Sequence, residues 1–155
     1  MTQPFDMRHV TIEDILATVD LQAARRVNEQ TQCQGRPNSL SPWTGDVPPV
    51  GTWRLDDMMG EFEMLVELPL DQVEPGEPED GIKGWAGYAL YVQWAREGRQ
   101  PPPITVVRHV DGRLVSIHRR RVLAAKDAGR RTILAWFSET DARGRNLWRL
   151  PEVRR

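Results

Sequence analysis

The chain has 155 residues, 39% of them apolar and 28% charged, with 21 basic and 22 acidic side chains that leave a net charge of −1. That length suits one domain with an appended segment, and a charge near zero sets up no global field toward nucleic acid or a membrane surface. The single cysteine, Cys33, excludes an internal disulfide, and no apolar run approaches membrane-spanning length.

Thr11-Ile12-Glu13-Asp14 has the layout of a helix start, with a capping threonine and acids in the first turn. Ile12, Ile15, Leu16, Val19, Ala23 and Val27 follow at helical spacing and predict one amphipathic helix to about Glu29. Its apolar stripe packs on the core or docks a partner. Residues 31–51 are rich in Gln, Pro, Gly and Ser and predict an extended connection. Trp43 and Trp53, in and beside it, either pack back on the domain or anchor a partner.

Residues 63–69 read as a strand stopped by Pro69, followed by an acidic loop from Leu70 to Gly81. Trp85, Tyr88, Ala89, Val92 and Ala95 predict a helix, and Gly98 suits its end. Three prolines lead into a β-branched strand, Ile104 to Arg108; Asp111-Gly112 signals a hairpin turn and residues 113–117 the return strand. A short helix closed by Gly129 follows, then a strand from Thr132 to Phe137. From Asp141 the chain is polar, with Leu147, Trp148 and Leu150 as a small apolar patch on a docked tail or a frayed end. This order predicts a compact α+β unit. The division it suggests is an N-terminal helix and linker over 1–55, a domain over 56–141 and a polar tail over 142–155.

Charge is unevenly spread. Residues 56–80 hold ten acids and no Lys or Arg, whereas residues 108–131 hold eight bases against two acids. The basic half either forms an anion site or faces the acidic half or a second copy of the chain. The densest part is His118-Arg119-Arg120-Arg121, at the start of the short helix. The helix dipole and the free N–H groups there favour anions, so arginines at that end are either solvated or used on an anion. Free N–H groups and guanidinium forks together make a phosphate cradle. His9, His109 and His118 have no metal-ligand spacing, Cys33 has no histidine nearby, and no nucleophile-elbow or Walker sequence is present. Asp56, Asp57 and Glu61 form either a cation site or a solvated acidic turn.

Several segments together resemble the ParB-like, sulfiredoxin-like family. They are Val66 to Pro75, Gly98 to Val106, Asp111 to Val115, and Arg121-Val122-Leu123-Ala124-Ala125-Lys126-Asp127-Ala128-Gly129, within roughly residues 62–141. The resemblance implies a small mixed sheet with packed helices, extended here by an N-terminal helical segment. It also implies a turn before the Ala-Ala helix that cradles the triphosphate of CTP or ATP. The resemblance implies that Arg120 and Arg121 reach phosphate; the basic helix start adds His118 and Arg119 as candidate phosphate ligands, and Glu139, in a Glu139-Thr140-Asp141-Ala142-Arg143 segment similar to a ParB motif, would hold Mg²⁺. Hydrolysis would make the protein a Mg²⁺-dependent nucleoside triphosphatase.

The chain departs from the pattern at Ile117-His118, where the family has Asp-Gly, and at Thr140, where ParB has asparagine. No cysteine lies near the turn, which argues against sulfinic acid reduction, and the length excludes a complete chromosome-partitioning protein. The alternative is a non-catalytic DNA-binding or protein-interaction module of phage or plasmid type with a decayed pocket. A homodimer, a cytoplasmic location and no membrane contact complete the expectations.

Overall fold

A computed structural model describes residues 6–31, 48–74, 86–98, 103–116 and 118–151. The expectations placed on Cys33, Trp43, Trp85, Ile117 and most of the acidic loop and the extended connection lie outside these residues.

The N-terminal segment folds as two helices, α1 (Ile12–Thr18) and α2 (Leu21–Thr31), where the apolar spacing predicts one. Thr11 opens α1 with a reciprocal capping box to Asp14. Val19 then turns extended, and Asp20 Oδ1 accepts from Gln22 N at 2.9 Å and Ala23 N at 3.2 Å. The aspartate starts a new helix because its carboxylate satisfies free N–H groups that a continuous helix would not present.

Six strands follow: β1 (Trp53–Asp56), β2 (Glu61–Pro69), β3 (Val73–Glu74), β4 (Ile104–Arg108), β5 (Leu114–Ser116) and β6 (Thr132–Glu139). They form one sheet in the order β1-β2-β6-β4-β5-β3. The pairs β1/β2, β2/β6 and β4/β5 are antiparallel, whereas β4/β6 and β3/β5 are parallel. Two further helices are α3 (Ala86–Arg96) and α4 (Arg119–Asp127), and Gly129, at φ +76°, takes the left-handed conformation just past α4. The fold is α+β with a mixed sheet.

The central strand β6 sets the core. Val66 pairs with Ala135, Met64 with Phe137, and on the other side Ile104 with Ala135 and Val106 with Phe137, so these side chains share one face. Ile15, Ala24, Val122, Ala125 and Trp148 cover that face. α4 is enclosed on two sides: Val122 and Ala125 meet the sheet, while Leu123 and Ala124 meet Tyr88, Tyr91 and Val92 of α3. The paired alanines suit this place because small side chains let helix and sheet approach closely.

The C-terminal segment is docked. Trp148 is fully buried, edge-on to Trp53 at 5.1 Å and Phe137 at 5.9 Å, and its indole donates to Val10 O at 2.9 Å. Phe62 N donates to Trp148 O and Leu150 N to Gly60 O. Both segments that the sequence division sets outside the domain therefore pack into its core.

Candidate functional site at the start of α4

Strand β5 ends at Ser116, and its Oγ accepts from His118 N at 3.0 Å, tightening the turn into α4. His118 is the N-cap residue, with φ −96° and ψ 63°, and its own side chain makes no capping hydrogen bond.

The four residues singled out by sequence diverge in the structure. Arg120 is exposed, and Arg119 is half-buried. Arg121 is turned inward with 5% of its surface exposed, and its Nη1 donates to Pro103 O at 3.1 Å, at the entry to β4. The His118 imidazole is partly buried, and no hydrogen bond to its ring is formed among the described residues. Burial, and then the positive charges of Arg121 and Arg54, hold its pKa down to about 4. At neutral pH the ring is therefore uncharged and offers one N–H donor.

Sequence reading missed two further groups: Tyr91, packed against α4, and Arg54, on the sheet face opposite the one α4 covers. Tyr91 of α3 is 2% exposed, and its hydroxyl has no hydrogen-bond partner among the described residues. Burial pushes its pKa up, against the opposing fields of Arg121 and Arg130, so the phenol keeps its proton. Arg54 of β1 lies with its guanidinium carbon 4.4 Å from the Trp136 ring centroid, and its Nε donates to Glu63 Oε1 at 3.0 Å. The signal for Arg54 was the cross-strand pairing of residues 53–56 with 61–64 around the Asp57–Gly60 turn, which the acidic composition obscured. Tyr91 carried no signal beyond helical spacing, which predicts burial but not a missing partner.

Glu139 is not gathered with these groups. It is fully buried and faces Arg108 across the β4/β6 pair. Its Oε1 accepts from Arg108 Nε at 2.7 Å, and its Oε2 accepts from Met7 N at 3.3 Å. Arg108 Nη2 lies 2.9 Å from Asp6 Oδ2 as an ion pair without a well-directed N–H bond. Bonds from Arg8, more than the charge of Arg108, hold the Asp6 carboxyl at about 2. Arg121 is held at Pro103, just before β4, and Glu139 pairs with Arg108 at its far end, five residues or roughly 16 Å along the strand. Both oxygens of this carboxylate are engaged, by Arg108 and by the Met7 N–H. Among the described residues, no three His, Cys, Asp or Glu side chains gather to hold a metal.

The basic block is also less of a surface than its composition suggests. Arg108 and Arg121 are buried, Arg113 pairs with Asp111 and Glu74, and Lys126 Nζ donates to Val73 O. No helix among the described residues is long and apolar enough to cross a membrane.

No protein-family model matches the chain, and no curated protein matches it in sequence. Among solved structures it is similar to sulfiredoxin from Arabidopsis thaliana, with 23% identity and a TM-score of 0.37, over 49% of this chain and 85% of that one.

Proposed function

We propose that the start of α4 binds the phosphate groups of a nucleoside triphosphate, CTP or ATP. The carrying observation is that the first turn of this helix gathers three arginines beside an N-cap histidine that is uncharged at neutral pH and makes no capping bond. Free N–H groups at a helix start attract anions, and a guanidinium fork matches phosphate oxygens. The family resemblance of residues 62–141 supports the choice of a nucleotide over a simple anion.

In this reading Arg119 and Arg120 meet the ligand from the solvent side, and Arg121 supports it from within. Mg²⁺ arrives on the phosphates, and Glu139 is not its ligand. The reading concerns binding, and no side chain is assigned to hydrolysis.

Ligand held only by the folded state stabilises it by about 2.7 kcal/mol at a hundredfold excess over Kd. For a chain of this size the melting temperature should rise by roughly 5–10 °C. A scan with millimolar nucleotide and Mg²⁺ should show that shift for at least one nucleotide, and no shift with Arg120→Glu. Identical melting with and without every nucleotide would reject the reading.

A further inference from the structure

We propose that residues 6–9 form a latch that opens and closes over the buried Arg108–Glu139 pair while the sheet stays folded. The inference is independent of the nucleotide reading, because the pair lies at the end of β4 away from Pro103 and Arg121.

The latch is shaped by its own bonds. Asp6 Oδ1 accepts from Arg8 N at 2.9 Å, Asp6 Oδ2 accepts from Arg8 Nη2 at 3.2 Å, and Val10 N donates to Met7 O at 2.9 Å. These bonds join residues two or three apart, so the segment keeps its turn without help from the sheet. It lies outside every helix and strand, and no ladder ties it to a neighbour.

Its hold on the rest of the molecule is thin. Among the described residues, Asp6 Oδ2 faces Arg108 Nη2 at 2.9 Å in poor alignment, Met7 N donates to Glu139 Oε2 at 3.3 Å, and Arg8 Nη1 donates to Val110 O at 3.2 Å. Met7 packs on the core but is only partly buried, and the side chains of Asp6 and Arg8 are 45% and 40% exposed. Contacts this open to water contribute little each. The next anchor is Val10, whose carbonyl accepts from the Trp148 indole at 2.9 Å, and it marks the hinge.

What the latch covers is held firmly by other bonds. Arg108 Nε donates to Glu139 Oε1 at 2.7 Å and Oε2 at 3.2 Å, and Thr140 Oγ1 donates to Arg108 O at 2.6 Å. The pair therefore stays joined when residues 6–9 lift. With the latch closed, Arg108 Nη2 is buried without a well-directed acceptor. A buried donor in that state is costly, and opening gives it water. Opening thus loses few contacts and relieves one defect, which sets it below the free energy of global unfolding. It also bares a guanidinium and a carboxylate side by side at the end of the sheet.

Amide hydrogen exchange on the full chain reads the opening, and trypsin cleavage after Arg8 reads it a second way. The Met7 N–H should exchange about tenfold or more faster than the amides of Ala135 and Phe137 in β6, yet about tenfold or more slowly than in an unstructured chain. Asp6→Asn removes the charge that faces Arg108 from a side chain that is half exposed. It should speed Met7 exchange and cleavage after Arg8 about threefold or more while β6 exchange stays unchanged. Raised salt should speed Met7 exchange in wild type more than in the variant. Met7 exchanging only as slowly as β6 would overturn the proposal, since no separate opening would exist. Exchange at the free-chain rate would overturn it as well, because the latch would never be closed. An Asp6→Asn variant with unchanged exchange at Met7, or with β6 speeded equally, would remove the Asp6–Arg108 contact as the hold.

Discussion

His118 carries a pH dependence whose sign follows from its surroundings. Burial and the charges of Arg121 and Arg54 lower its folded pKa from 6.5 to about 4. Above pH 6.5 the ring is neutral in both the folded and unfolded chain, and its contribution is fully present. As pH falls from 6.5 to 4 the unfolded chain takes up a proton that the folded chain refuses. Stability is then lost, by up to about 3 kcal/mol. Urea midpoints measured at pH 7 and pH 4.5 should differ less in His118→Asn than in wild type. An equal drop in both would show that the imidazole is not held neutral. The four-residue cluster itself was visible in the sequence because its charges stand at the wrong end of a helix. Its inward turn at Arg121 was not, since the acceptor, Pro103 O, comes from a strand 18 residues away.

At the level of elements, the strands and helices with local punctuation were legible. Pro69 ends β2, the Asp111-Gly112 turn precedes β5, and Gly129 follows α4, each through backbone preferences that a few neighbouring residues express. β1 was not legible, because Trp53–Asp56 becomes a strand only by pairing with β2, and a four-residue edge strand has little pattern of its own. The break between α1 and α2 was missed for the opposite reason: a continuous apolar stripe concealed the local cap at Asp20. The docked C-terminal segment gives the clearest energetic test. Trp148 is fully buried among Trp53, Phe62 and Phe137, so Trp148→Ala should cost about 3–5 kcal/mol. Denaturant unfolding measures this directly, and a loss under 1 kcal/mol would mean that the segment does not hold the core.

Across the whole molecule, the flanking segments complete the structure around the site. Ile15 and Ala24 of the N-terminal helices and Trp148 of the C-terminal segment cover the same sheet face that α4 covers. A fragment of residues 56–141 alone should therefore show no cooperative melting, whereas residues 6–151 should melt as one unit. A cooperative transition in the shorter fragment would restore the simple three-part division. Chain order predicts the α+β class, but not which segments share a core, because such contacts join residues as distant as Val10 and Trp148.

The central claim is that the arginine-rich start of α4 holds nucleotide phosphates. The most direct test is calorimetric titration of the protein with CTP, ATP, GTP and UTP, each with Mg²⁺, beside Arg120→Glu, whose exposed position leaves the core untouched. Saturable binding of at least one nucleotide, weakened at least tenfold in the variant, is the predicted result. No binding of any of the four, or equal affinity in the variant, would contradict it.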